Sequence, residues 1–288
     1  MTVLIVLNYN DCETTNKFVL SILDFESIDK IIVVDNHSTD DSFEKLTELS
    51  NAKVDIIQTM ENGGYACGNN FGAFYAIEKY NPNYIIIANP DIIIENETIL
   101  RMVSFADVNS DAGSITCRIN CTSGIELPIA WKLPKFLDCI LENLILLKKL
   151  LGNRMAYDVE YLKKNIVCVD VLPGSFFMIP AKVFAEVDGF DPDTFLYYEE
   201  NILAFKLKQK KYKSYLLNSD EYLHMHSVSI NKNITSVKNR LRISYASRII
   251  YCKKYLKIGA IGSLILKITF EIGLFNYLTA LKVMRIKR

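Results

Sequence analysis

The chain has 288 residues, half of them apolar, with 33 basic side chains against 33 acidic ones. That composition argues against a disordered polypeptide, and a formal charge of zero gives no sign of nucleic acid as a partner held by phosphate neutralisation, although local charge still matters. Seven scattered cysteines without a C-x-x-C pair exclude the usual zinc spacing and read as free thiols of a reducing cytoplasm.

The N-terminus "MTVLIVLNYN" has no basic n-region and turns polar after six residues, so it reads as a first strand and not a signal peptide. Apolar runs of strand length recur at 3–7, 31–34, 54–57 and 84–88, separated by segments with room for a helix. Runs that do not alternate with polar residues suit strands covered on both faces, which predicts βαβ units and a mostly parallel sheet between helices. In such sheets ligands sit beyond the carboxyl ends of the strands. Each early strand ends in polar residues: Asn8, Tyr9 and Asn10; Asp35, Asn36 and His37; Glu61 and Asn62; Asn89, Pro90 and Asp91.

In "VVDNHSTDDS" (33–42), Asp35 stands where an acid can accept a hydrogen bond from a ribose hydroxyl or a base imide, and Ser38, Asp40 and Asp41 are candidates to cap the next helix. "NGGYACGNNFGAFYA" (62–76) is glycine-rich but does not match G-x-G-x-x-G and follows the third strand, which disfavours a dinucleotide fingerprint. Gly64, Gly68, Gly72 and Ala76 recur every four residues and would form one smooth helix face, leaving Asn69 and Asn70 without a stated role. In "YIIIANPDIII" (84–94) a single carboxylate, Asp91, sits between two isoleucine runs. An unpaired buried charge costs several kcal/mol, so Asp91 belongs at a strand end or holds something positive.

Residues 125–165 break the pattern with "LPKFLDCILENLILLKKLLG", either a buried helix or a surface meeting lipid or a partner. "VCVDVLPGSFFMI" then predicts two short strands around Pro173 and Gly174, and "PAKVFAEVDGFDP" a short helix with Pro180 at its start and Gly189 beyond its end. A helical tail over 231–288 is very apolar. Lys267 and Glu271 interrupt it before an uncharged span reaches the ~18 to 20 residues that cross a bilayer. With Lys282, Arg285, Lys287 and Arg288 at its end, it suits an anionic membrane surface as well as it suits packing on the domain or in a homo-oligomer interface.

"LNYN", "VVDNHSTDDS", "NGGYACGNNFG", "ANPD" and "GSFFMIPAKVFAEVDGFDPDTFLYYEEN", in this order, resemble the motifs of family 2 of the inverting glycosyltransferases with the GT-A fold, in its rhamnosyltransferase-like branch. The resemblance covers about residues 2–230. It implies an α/β GT-A domain over 1–230 that moves a hexose such as rhamnose from a UDP or dTDP donor to a growing, lipid-linked cell-surface glycan. The protein would then work in the cytoplasm, peripherally on the inner face of the membrane. Glu200 falls on the family's general base, with Glu199 beside it. Asp91 falls on the ligand for Mg²⁺ or Mn²⁺, and His224 in "YLHMHSVSI" (222–230) on a metal or diphosphate contact. Donor contacts fall on Asn8, Asn10, Asp35, Asn36, Ser38, Gly64, Asn69, Asn70, Asn89, Gly174 and Ser175, and Asp191 is implied to reach acceptor hydroxyls. Two departures stand out: Ile93 and Ile202 occupy positions where many members carry a second Asp. They leave open a non-catalytic nucleotide-sugar-binding or assembly subunit, against which both Glu199 and Glu200 argue.

Overall fold

The computed structural model describes residues 1–121, 129–225 and 236–286. The first 108 residues alternate strand and helix: β1 (Thr2–Asn8), α1 (Cys12–Ile22), β2 (Lys30–Asp35), α2 (Ser42–Thr47), β3 (Val54–Gln58), α3 (Gly64–Tyr80), β4 (Tyr84–Ala88), the short β5 (Ile92–Ile93) and α4 (Asn96–Val108). Then come β6 (Ala112–Cys121), α5 (Phe136–Leu141), α6 (Ile145–Leu151), α7 (Val159–Leu162), β7 (Ile166–Val169), β8 (Phe176–Pro180), α8 (Ala181–Glu186), α9 (Glu199–Gln209) and β9 (Lys213–His224). Helix α10 (Val237–Ile250) passes through a π-turn at Tyr251–Tyr255 and is followed by α11 (Ala260–Ile286).

All described strands join one sheet of order β3-β2-β1-β4-β8-β6-β9-β5, with β7 pairing to β9. The apolar runs explain its first half. Leu4, Val6, Ile31, Val33 and Ile86 face α1 and α4, while Val3, Ile5, Ile32, Val34, Ile85 and Ile87 face α3, α8 and α9, all with no exposed surface. Strands β3, β2, β1 and β4 are parallel, as expected. The second half is mixed: β8 runs antiparallel to β4 and β6, and β9 is parallel to β6 but antiparallel to β5 and β7.

The small face of α3 lies on the sheet. A Cβ at Gly68 would come 2.4 Å from a Leu7 methyl, and one at Gly72 2.6 Å from a Val34 methyl. In the cap region after β2, Asp40 accepts from the Ser42 N–H (3.0 Å), whereas Asp41, at the cap position, makes no side-chain capping bond.

A third apolar cluster joins Ile202 of α9 to Cys139 of α5, Tyr251 and Cys252 of the π-turn, and Leu266 of α11. It explains one departure: Ile202, with no exposed surface, is the seat on which the C-terminal helices pack. Helix α11 buries Leu266, Phe270 and Leu274 and exposes Ile261, Leu264, Ile268, Ile272 and Phe275. Lys267 and Glu271 do not disqualify it as a span: over Ala260–Leu281 it is long and apolar enough to cross a membrane by length and composition alone.

Candidate functional site

The pairing register gathers the polar strand ends at one edge. Asn8 sits opposite Asp35. Because β8 runs antiparallel to β4 with Phe176 opposite Ala88, the turn at Gly174 and Ser175 lies beside Asn89, whose N–H donates to the Ser175 carbonyl (2.8 Å). His224 lies opposite Ile92, and its Nε2 is 3.2 Å from Asp91 Oδ1. From the helical side, Tyr65 of α3 donates its hydroxyl to the Gly174 carbonyl (2.6 Å), and a Cβ on Gly174 would meet Glu200 Oε1 at 2.7 Å. Asn8, Asp35, Asn89, Asp91, Gly174, Ser175, Glu200 and His224 therefore share the carboxyl edge of the parallel strands.

Much of that rim is occupied by its own members. Asp35 has no exposed surface, and its oxygens accept from Asn8 Nδ2 (2.9 Å), Ser38 Oγ (2.6 Å), Ser38 N (2.9 Å) and Gln58 Nε2 (3.0 Å). A carboxylate has about four acceptor positions, and here four donors of the loop and its neighbours fill them. Asn36 is likewise buried, donating to Asn62 Oδ1 (2.9 Å) and the Gly64 carbonyl (3.1 Å). Asn70 pairs both ends of its amide with the backbone of Phe190, at 2.8 and 2.9 Å, and so latches α3 to the segment that follows α8. Asp191 is 2% exposed; it accepts from Tyr255 (2.7 Å), Lys254 (3.1 Å) and the Asp193 N–H (3.0 Å).

Other rim residues keep a freer role. Asn10 (φ 51°) and Ser38 are partly exposed and joined by an Asn10 N–H to Ser38 Oγ bond of 3.0 Å. Gly64 has φ +82°, and a Cβ there would strike the Phe195 carbonyl at 2.0 Å, so only glycine fits. Asn69 is buried, donates to the Tyr65 carbonyl (2.9 Å) and leaves its Oδ1 without a donor. Ser175 shares a 2.8 Å hydrogen bond with the Tyr222 hydroxyl.

The acidic pair opens α9. Glu199 is 2% exposed with Oε1 lacking any donor, and Glu200 is partly accessible against Gly174. Burial, then the neighbouring Glu200, pushes the Glu199 carboxyl well above the usual range; burial also raises Glu200, against backbone N–H groups that lower it. Two adjacent carboxyls with raised affinity for protons have the chemistry that proton transfer to and from a substrate hydroxyl would need.

Asp91 and His224 form a two-donor site: a hard carboxylate, 5% exposed, and an imidazole. Among the described residues no third His, Cys, Asp or Glu joins them. Ile93, on β5, is 53% exposed and carries no ligand. The donor set fits Mg²⁺ or Mn²⁺ whose remaining positions are filled by phosphate oxygens, the usual arrangement for such a cation at a nucleotide, and not a cage built by protein alone. His226 and residues 227–230 of the late motif lie outside the described residues.

Tyr65, Tyr222, Gln58 and Thr15, which donates to Asn8 Oδ1 (2.9 Å), were not singled out from sequence. Nor was Trp131, whose indole donates to Asn201 of α9 (2.8 Å). Tyr65 sits inside the glycine-rich motif, but nothing local signals a bond to a residue 109 positions away.

Comparison with known proteins agrees with this fold. Residues 3–169 match the model of Glycosyl transferase family 2. The low-salt glycan biosynthesis hexosyltransferase Agl10 of Haloferax volcanii is 26% identical over 207 residues, 72% of this chain and 61% of that protein. The rhamnosyltransferase WbbL of Escherichia coli is 29% identical over 149 residues, 50% of this chain and 54% of that one. The chain thus spans less than two thirds of the length of these curated relatives. Among solved structures, the mannosyltransferase PcManGT of Pyrobaculum calidifontis, in complex with GDP-Man and Mn²⁺, superposes with a TM-score of 0.58 at 12% identity, covering 99% of this chain and 75% of its own. The matched segment of the family model ends before Gly174, Glu199, Glu200 and His224.

Proposed function

The chain belongs to glycosyl transferase family 2 and has the GT-A fold; on that premise we propose that it is a glycosyltransferase that inverts the anomeric centre of the sugar it transfers, with Glu200 as the base. The observation carrying this reading is the Glu199–Glu200 pair at the start of α9, pressed against Gly174 on the sheet edge that also holds Asp91. Glu200 would take the proton of an acceptor hydroxyl as it attacks the anomeric carbon from the face opposite the departing diphosphate. Glu199, whose proton affinity burial raises, would favour a single negative charge on the pair at that step. Asn10, Ser38, Gly64, Asn69, Asn89 and Ser175 would line the donor pocket. Asp91 and His224 would hold the divalent cation, which when bound offsets the charge growing on the diphosphate.

The donor we assign is a UDP- or dTDP-hexose, rhamnose among the candidates, and the acceptor a lipid-linked glycan. Support for the acceptor is the apolar surface shared by two helices. Leu147, Leu150 and Leu151 of α6 are exposed beside Lys149, and α11 exposes its isoleucine face beside Lys267. The α5–α6 turn docks on α11, with Asn143 Nδ2 donating to Thr269 Oγ1 (3.1 Å) and its carbonyl 1.9 Å from where a Gly273 Cβ would lie. Exposed apolar side chains interspersed with lysines suit an anionic membrane surface.

Thermal shift of the purified chain with UDP, dTDP and GDP, each with and without Mn²⁺, tests the donor class. Metal-dependent stabilisation by UDP or dTDP, lost in Asp91→Ala, is the expected result; no stabilisation by any nucleotide would sink the reading.

A further inference from the structure

The acidic pair is launched from an expensive turn. Tyr197 and Tyr198 have φ of 71° and 70°, a left-handed conformation that costs an L-residue about 1–2 kcal/mol. Two such residues in succession persist only where the surroundings over-determine them. The Tyr198 carbonyl then accepts from Ile202 N (3.0 Å), so the position of the turn fixes the start of α9.

What holds the turn is the C-terminal helical layer. Tyr198 is buried, and its hydroxyl donates to Glu142 Oε2 (2.6 Å). The same oxygen is 3.1 Å from Arg248 Nη2, and the Arg248 guanidinium lies 5.5 Å from the centroid of the Tyr198 ring. Arg248 Nη1 also donates to Asn143 Oδ1 and to the Cys139 carbonyl (3.4 Å), tying the fork to α5. Its neighbour Ser247 donates to the Leu196 carbonyl (2.9 Å), on the other side of the two tyrosines. Arg248 is 8% exposed. Burying a guanidinium without need is costly, and only a planar fork can serve Glu142, Asn143 and Cys139 at once.

We propose that Arg248 is a positioning residue for sugar transfer: through Glu142 and Tyr198 it holds the left-handed turn that sets Glu199 and Glu200 against Gly174. The proposal rests on the reading of that pair as the acid–base unit of the site. It makes α10 part of the catalytic unit, although α10 lies outside the residues that match the family model. Arg248 itself touches no reacting atom; its action passes through two side chains.

The test follows the pair directly, by ¹³C NMR titration of labelled glutamate carboxyls, assigned by loss of signal in Glu199→Gln and Glu200→Gln. In the wild-type chain the pair titrates above the ordinary glutamate range. In Arg248→Met the turn relaxes, the pair gains water, and its titration falls back toward that range. Arg248→Lys recovers part of the shift, and Tyr198→Phe, which removes one hydroxyl, moves it in the same direction by less. Tyr65 and the Gly174 N–H face the pair from α3 and the strand turn, and these contacts are untouched in all three variants. An unmoved titration in folded Arg248→Met and Tyr198→Phe overturns the proposal; should Arg248→Met not fold, Tyr198→Phe decides alone. The titration needs no turnover, so it stands apart from the assignment of Glu200 as base: a Glu200→Gln enzyme that kept its activity would sink that assignment and leave the shift standing.

Discussion

Two carboxylates sit buried at the same sheet edge and are treated in opposite ways. Asp35, in the N-terminal half, receives four hydrogen bonds within 3.0 Å; Glu199, at the start of α9, has an oxygen that receives none. The first is a completed polar network, which stiffens the loop after β2. The second is an unfinished one, and an unfinished buried carboxyl has a raised affinity for its proton. Burial at this edge therefore does not by itself set the charge of a carboxyl. What sets it is whether the protein has supplied the partners that a charged group demands.

The sharpest way to break the comparison is to neutralise each side isosterically. Glu200→Gln removes the proposed base and leaves the helix start intact; kcat should fall about 10²–10⁴-fold with nucleotide affinity retained, measured by transfer assay and titration calorimetry. Asp35→Asn should do the reverse. Its amide group faces donors, so the fold loses about 3 kcal/mol in denaturant unfolding, and whatever activity survives in the folded fraction has an unchanged pH profile.

Next comes Glu199→Gln, expected to stabilise. The folded pKa lies above the unfolded one, so between the ordinary glutamate value and the folded value the native state binds more protons than the unfolded chain. Stability is therefore whole at acid pH and declines as pH rises through that window. The substitution should restore about 1–2 kcal/mol at neutral pH and flatten the decline, read by melting curves across pH. A destabilised Glu199→Gln would mean that the native state holds the ionised form, and the contrast with Asp35 would collapse.

These contrasts were only partly legible in the chain. The parallel strands, their polar ends and the small face of α3 follow from apolar runs and four-residue spacing, because both faces of that half-sheet are covered and its contacts are local in pattern. The acidic pair, Asp91 and His224 were reachable through motif order. What was not legible is the employment of each polar group. Whether Asp35 meets a ribose or Gln58, whether Asn70 meets a donor or the Phe190 backbone, and whether Asp191 meets an acceptor or Lys254 depends on packing between segments 23, 120 and 63 residues apart. Ile202 illustrates the same limit: read as a missing acid, it is a core residue for helices whose docking no local pattern announces.

A third carboxylate, far from the site, offers the finest test of the rule. Asp55 on β3 is partly buried, and burial works against its charge. The hydroxyl of Tyr80, the ammonium of Lys79, the hydroxyl of Tyr75 and the nearby Lys30 outweigh that and bring its pKa down to about 2. Here the folded pKa lies below the unfolded one, so the group contributes stability above the ordinary aspartate range and loses it as pH falls toward 2. Tyr75→Phe removes one of the donors, at 3.0 Å, from a site that water can still reach. The expected cost is about 0.5–1 kcal/mol at neutral pH, with the acid limb of the stability profile moved upward and the neutral plateau otherwise kept. If donor supply is what separates scaffold carboxylates from working ones, this small loss should shrink to nothing below pH 2, where Asp55 is protonated in both variants; a loss that persists there would assign it to ring packing instead.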